Sequence, residues 1–345
     1  MKVSVASYQA VSILHGGPST QIRNTMKHML ANGVVVRFFD PWSPFTGSDC
    51  DLVHLFAANI GTYHLAREIQ TLGIPFVVSP IVYSKHSPVF IRRALSMHSI
   101  VQRMGKGLWS DYSITAEICS WARRVLPNTQ AEGNLLSEGY RVPGSKITVI
   151  PNGVDERFYH GDPSLFKKTY GLEGFILNVG HIGHGRKNVL SLIHSLAQIN
   201  RPAVIIGRII KGPYGDECVR EAAKHKHILL IDGLDNSSDL LASAYAACDV
   251  FVLPSLFETP GIAALEAALA GAKIVITPHG GTKEYFGDMA TYVEPGSVES
   301  IRQGIASALT KAKDPTLREH VRQHYVWERI TEKTAQVYRE ALGKS

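Results

Sequence analysis

Two glutamates, Glu258 and Glu266, stand eight positions apart around Thr259-Pro260-Gly261-Ile262. Thr259 suits a helix N-cap and Pro260 the first helical position. The following run, Ala263-Ala264-Leu265-Glu266-Ala267-Ala268-Leu269-Ala270, is a strong helix former closed by Gly271. This predicts a helix whose first amides, those of Gly261 and Ile262, lack intrahelical partners and attract an anion such as a phosphate. Helical side chains lean toward the N-terminus, so Glu266, about two turns in, can accept hydrogen bonds from hydroxyls beside that phosphate. A phosphate next to a ribose describes a nucleotide. Spacing alone also fits ordinary surface charge on a helix, so the residues around the pair have to decide.

Other groups offer weaker chemistry. Gly16 and Gly17, in Gly16-Gly17-Pro18-Ser19-Thr20, let the backbone come close to a phosphate or sugar, or simply make a tight turn. His54 and His64 are candidate cleft residues, although a lone histidine is more often structural. Asp49-Cys50-Asp51 spells an Asp-x-Asp metal motif but runs directly into Leu52-Val53-His54 and reads as a strand entry. No His, Cys or carboxylate cluster has metal-ligand spacing, so neither a metal nor another cofactor is expected. Walker loops and nucleophile elbows are absent from the sequence.

Strands and helices alternate along the chain. In the first half, strands are expected at Lys2 to Ala6, Val34 to Phe39, Leu52 to Phe56, Pro75 to Val78, Tyr112 to Thr115 and Ile147 to Ile150. Helices are expected at Gln21 to Asn32, Tyr63 to Leu72 and Glu117 to Arg124. Ser87 to Trp109 mixes apolar and basic residues at rough helical spacing, as an amphipathic surface segment or a helix packed on the sheet. After the turn Pro151-Asn152-Gly153-Val154-Asp155 the pattern restarts. Strands then follow at Phe175 to Val179, Ala203 to Ile206, Ile228 to Ile231, Val250 to Leu253, Lys273 to Ile276 and Thr291 to Val293. Such alternation predicts two α/β domains with parallel, doubly wound sheets and a ligand cleft between them.

The chain has 345 residues, enough for two ordinary domains. It contains no apolar run of membrane-spanning length, and its first residues do not read as a signal peptide. Cys50, Cys119, Cys218 and Cys248 are scattered, as in a cytoplasmic protein with reduced thiols. Residues 1–150 hold 14 Lys and Arg against 8 Asp and Glu, so the whole net charge of +6 sits there. The excess is densest from Lys85 to Arg124 and suits an anionic membrane surface, a phosphorylated acceptor or a solvated face. Nucleic acid is not expected, because no interleaved aromatic platform accompanies the charge.

Several motifs recur in a telling order in the second half. Val149-Ile150-Pro151-Asn152-Gly153-Val154-Asp155 comes first, then Asn178-Val179-Gly180 with Arg186-Lys187-Asn188. Asp249-Val250-Phe251-Val252-Leu253-Pro254-Ser255 follows, then the two glutamates, then Gly280-Gly281-Thr282. Residues 145–340 thereby resemble the retaining glycosyltransferases of family 4, and the first half matches more weakly. The tail, Trp327-Glu328-Arg329 to Val337-Tyr338, is also similar. The resemblance implies the α/β GT-B fold, two Rossmann-like domains facing across a cleft with a C-terminal helix crossing back. An acceptor domain would span 1–155 with 328–345, and a donor domain 156–327.

By the same resemblance, Lys187 neutralises the donor pyrophosphate with Arg186 beside it. Glu258 lies near the sugar hydroxyls, Glu266 binds the ribose, and Gly261 and Ile262 offer amides. Leu234, in Asp232-Gly233-Leu234, reads the base through its backbone. Two departures stand out. His181 occupies the place where the family usually has an arginine. No histidine follows the strand ending near residue 79, where the chain reads Val78-Ser79-Pro80-Ile81-Val82-Tyr83 and only later Lys85. The implied activity is metal-independent transfer of a hexose, with UDP-glucose the expected donor and a lipid-linked or polysaccharide intermediate the acceptor. The implied place is the cytoplasm, peripherally on the inner membrane face. A GT-B nucleotide-sugar epimerase and a nucleotide-sugar-binding module without turnover remain as alternatives.

Overall fold

The computed structural model describes residues 1–14, 16–104 and 109–343. The chain divides into two units, Met1–Gly153 with Trp327–Ser345, and Val154–Val326. The first unit holds strands β1 (Lys2–Ser7), β2 (Val35–Phe38), β3 (Leu52–Phe56), β4 (Phe76–Ser79) and β5 (Arg124–Val125), in the order β2-β1-β3-β4-β5. The second holds β6 (Ile176–Val179), β7 (Ala203–Ile206), β8 (Ile228–Ile231), β9 (Val250–Leu253), β10 (Lys273–Ile276) and β11 (Thr291–Tyr292), in the order β11-β10-β9-β6-β7-β8. Every pairing is parallel. Both units are Rossmann-like α/β layers.

Burial explains the strand composition. In the second unit Leu177, Val204, Phe251, Leu253 and Ile274 enter one core, while Ile176, Ile205, Val250, Val252 and Val275 enter another on the opposite face. A strand covered by helices on both faces has no solvent side, so it reads as a continuous apolar run. The helix Trp327–Ala341 belongs to the first unit, where Trp327 and Tyr338 are buried with Val3, Leu52 and Val77. Among the described residues no helix is long and apolar enough to cross a membrane.

Three local expectations are corrected. Tyr112 to Thr115 is not a strand but part of the helix Asp111–Trp121. Ser110 caps that helix reciprocally with Ser113, and Ile114 and Ile118 fall on one buried face. The predicted helix end at Arg124 is instead the short β5. Ile147 to Ile150 forms no full strand: it makes one bridge, Ile147 to Val125, and then lines up beside the β5 exit through hydrogen bonds. Ser87 to Trp109 contains the helix Pro88–Met104, and residues 105–108 of that segment lie outside the described residues.

Candidate active site

Sheet order creates the site. β6 and β9 are neighbours, although β7 and β8 separate them in sequence. Crossovers leave this pair in opposite directions, a topological switch point where open α/β sheets bind ligands beyond the strand C-termini. The β6 exit carries His181, Arg186 and Lys187, and the β9 exit carries Glu258.

The two exits are stitched together. Leu256 N donates to Arg186 O at 2.9 Å, and Arg186 Nη1 donates to Phe257 O at 2.9 Å. Asn188 adopts the left-handed conformation that asparagine tolerates, with φ 57°. Its amide donates to Pro254 O and Pro295 O at 3.1 and 2.7 Å. Lys187, between these anchors, extends its stem past Gly180 and brings Nζ to 2.5 Å from Glu258 Oε1. Arg186 Nη1 lies 3.3 Å from the same oxygen.

Glu258 is buried and held from the other side. Its N–H donates to His279 O at 3.1 Å, and its carbonyl accepts from Gly281 N at 2.9 Å. Gly280, at φ 97°, passes so close that an added Cβ would meet Glu258 O at 2.0 Å. Only glycine meets both demands. The Gly280-Gly281 turn is therefore a backbone clamp on Glu258.

Burial pushes the Glu258 carboxyl up, but Lys187 and Arg186 outweigh it and hold the group below the usual carboxylate range. A carboxylate with a depressed folded pKa stabilises the protein above its unfolded pKa, about 4.3, and loses that contribution as pH falls through the folded value. Glu258→Gln should therefore melt several degrees lower than the parent at pH 7. The gap should begin to narrow below about pH 4 and shrink further as pH falls through the folded pKa, measured by thermal unfolding from pH 3 to 7. A gap that stays constant across that range refutes the ion-pair assignment.

The helix start differs from expectation. Thr259 is not the N-cap and Pro260 is not the first helical residue. The helix is Ile262–Leu269, capped by Gly261 at φ 85°. The bridge between Glu258 and Gly280 holds the chain extended, so the helix begins only after the Pro260-Gly261 turn. Gly261, Ile262 and Ala263 precede the first amide that bonds back, Ala264 N to Gly261 O at 2.8 Å. Their N–H groups open the helix, as an anion site requires.

Glu266 consequently sits one turn in rather than two. It is buried, and Oε1 accepts from Asn236 Nδ2 at 2.9 Å while Oε2 accepts from the Tyr245 hydroxyl at 2.7 Å. Burial raises its pKa against these two hydrogen bonds. A carboxylate has about four lone-pair sites, so two remain for a ligand's hydroxyls. The sequence reading missed Asn236 and Tyr245. Tyr245 left a signal, a phenol within the apolar helical run Leu240 to Ala247, whose hydroxyl needs a partner once buried.

His181 is half-buried at the β6 exit. Burial, then the charges of Lys187, His184, Arg208 and Arg186, hold its pKa below the ordinary histidine value, so the ring is neutral and can donate one hydrogen bond. Leu234 is partly buried beside the second unit's core, after a turn at Gly233 with φ 72°.

The remaining candidates lie in the first unit. Gly16 caps the helix Gly17–Met29, which starts four residues earlier than expected. His54 is corrected from a cleft residue to a structural one. It is buried, with Nδ1 2.6 Å from the Tyr338 hydroxyl and Nε2 2.9 Å from Ser79 Oγ. Burial pushes its pKa down to about 3. Its ring therefore fastens the Trp327–Ala341 helix to the sheet. His64 is exposed on the helix Ile60–Thr71, and Lys85 is exposed in the loop after β4. Among the described residues no group of three or more His, Cys, Asp or Glu side chains is placed to hold a metal ion.

Fold and site define a GT-B type of nucleotide-sugar enzyme, and comparison with known proteins agrees. The family model described as glycosyl transferases group 1 matches residues 166–324, and that of glycosyltransferase family 4 matches residues 45–158. An uncharacterized glycosyltransferase of Methanocaldococcus jannaschii is 29% identical over 280 residues, 72% of this chain and 69% of the relative. The sucrose-phosphate synthase of Thermosynechococcus elongatus superposes over 100% of both chains with a TM-score of 0.77 at 18% identity. The Anabaena protein HepE, in complex with UDP-glucose, covers 99% of this chain and 100% of its own, with a TM-score of 0.73 at 17% identity. This chain belongs to the group 1 glycosyltransferases, which transfer a sugar from a nucleotide-sugar donor.

Proposed function

We propose that the protein is a retaining hexosyltransferase that takes glucose from UDP-glucose and passes it to a hydroxyl of a lipid-linked or polysaccharide intermediate. The observation that carries this reading is the juxtaposition of Lys187, Arg186 and Glu258 beside the open N-terminus of the Ile262–Leu269 helix. Positive charge and free amides together suit a departing diphosphate. The UDP-glucose complex of HepE supports the choice of donor.

In the proposed reaction the bond from the anomeric carbon to the β-phosphate oxygen breaks, and its electron pair leaves with the phosphate. Lys187, Arg186 and the amides of Gly261 and Ile262 stabilise that charge, the kind of electrostatic work that is often the largest catalytic contribution. The acceptor oxygen bonds to the anomeric carbon on the same face, and its proton passes to the departing phosphate oxygen. The products are the glucoside and UDP. Glu258 accepts hydrogen bonds from sugar hydroxyls and favours positive charge developing on the ring. Glu266 holds the ribose and the Leu234 backbone meets the base. Protein cations fill the role of a metal, and no cofactor is proposed.

The deciding experiment is thermal unfolding of the whole protein against UDP-, GDP- and ADP-sugars, since a ligand that binds only the folded state raises the melting temperature. UDP-glucose is expected to give the largest shift, followed by slow release of UDP. If no nucleotide-sugar shifts the transition, the donor site is wrongly assigned. Free sugar made without acceptor would indicate an epimerase-like reaction. Stabilisation with no UDP release would indicate a binding module.

We also propose that the first unit rests peripherally on an anionic membrane on the cytoplasmic side. Helix Pro88–Met104 exposes Val89, Arg93, Met97 and Ile100 along one face, with Met97 67% and Ile100 57% accessible. Lys85 and Arg92 are exposed nearby. Apolar side chains among cations suit the boundary of an anionic bilayer. The protein should co-sediment with phosphatidylglycerol vesicles and not with phosphatidylcholine vesicles, and M97S/I100S should weaken this severalfold. Equal sedimentation of parent and variant with both vesicle types would refute it.

A further inference from the structure

We propose that Arg208 is a further donor-binding residue, supplying to the nucleotide diphosphate the guanidinium that the His181 position lacks. This rests on the donor-site reading above. β6 and β7 pair in parallel with Val179 opposite Ile206. Pairing continues past the strand ends, with Ile182 opposite Ile209 and Ile182 N donating to Arg208 O at 3.0 Å. The same register sets Arg208 directly beside His181. In-register neighbours of a parallel pair present their side chains to the same face.

Three further observations point to a ligand. First, the Arg208 charge acts on His181 together with those of Lys187, His184 and Arg186, so these groups share one electrostatic neighbourhood. Second, Lys187 and Arg186 are both committed to Glu258, whereas Arg208 is exposed and its guanidinium has no partner among the described residues. One carboxylate cannot balance three cations, and Arg208 is the uncommitted one. Third, the Asp232-Gly233 turn packs against the other side of Arg208, where a Cβ on Gly233 would lie 3.9 Å from Arg208 Cα. Arg208 therefore stands between the loop proposed to meet the base and the loop carrying Lys187. A nucleotide spanning those loops brings its diphosphate past Arg208. The planar guanidinium can then grip two phosphate oxygens at once, which a neutral histidine cannot.

The test compares the parent with R208Q and R208K. Among UDP, GDP and ADP, the diphosphate that stabilises the parent most is titrated beside its monophosphate, with calorimetric dissociation constants. R208Q should weaken the diphosphate about tenfold and the monophosphate much less, as expected for one lost charge-assisted contact. R208K should recover part of the loss. Ligand-free melting temperature should not change, because among the described residues the side chain has no partner to lose. If R208Q binds the diphosphate as tightly as the parent, Arg208 has no such role and the donor site stands. If no diphosphate binds the parent, the donor-site reading falls and this inference with it.

Discussion

Lys187→Ala should lower kcat by about 10²–10³-fold, the usual cost of removing one group aimed at developing charge. Lys187 Nζ is the nearest cation to the buried Glu258 carboxylate, at 2.5 Å, with Arg186 more distant at 3.3 Å. In the free protein Lys187 neutralises Glu258; with donor bound it would share its charge with the leaving diphosphate. The substitution thus has two effects that must be separated. Breaking a buried ion pair by removing one member costs about 3–5 kcal/mol, so the variant should also melt earlier. K187A/E258Q tests this division. Removing both charges should recover much of the lost stability and none of the lost turnover, measured by thermal unfolding and by UDP release at saturating donor. Turnover within threefold of the parent in K187A would remove Lys187 from the reaction.

Glu266→Ala should have the second largest effect, and it should fall on binding. The ribose is remote from the breaking bond, so its contacts are equal in ground and transition states. Loss of such contacts raises KM and leaves kcat nearly unchanged. A rise in KM of about 10–100-fold is expected for a buried, charge-assisted contact to two hydroxyls. Discrimination gives a sharper signature. A site built to bond a hydroxyl strongly rejects an analogue lacking it. The parent should prefer UDP to 2′-deoxy-UDP, and E266A should bind both alike. The buried Tyr245 hydroxyl and Asn236 amide lose their acceptor, so some stability is lost as well. E266Q retains a side chain of similar shape and checks that the KM change is not misfolding. An unaltered preference for UDP in E266A would place the ribose elsewhere.

Much of the fold was legible because helix-covered parallel strands are short apolar runs between helical segments. All six strands of the second unit lie where that pattern places them, with β6 and β11 each one residue shorter. The first unit was harder. Tyr112 to Thr115 has strand-like composition, yet Ser110 caps it into a helix whose buried face meets the sheet. Local preference there gave way to packing. His54 shows the same limit: its type suggested chemistry, and only the arrival of Tyr338, 284 residues later, reveals a fastening role.

Residue order was enough to nominate Lys187, Glu258 and Glu266 and to suggest a nucleotide between a cation and two carboxylates. It could not join them. Lys187 and Glu258 lie 71 positions apart and meet only because β9 inserts beside β6 rather than beside β8. Glu266 sits one turn into its helix, not two, because Glu258 is clamped to the Gly280-Gly281 turn and delays the helix start. Asn236 and Tyr245 could not be ranked by spacing, since each meets Glu266 from another element, and Arg208 comes beside His181 only through strand register. Periodicity is a property of adjacent residues and survives in a one-dimensional string. Sheet order, strand register and the pairing of buried charges depend on which segments pack together, and these choices placed the functional groups.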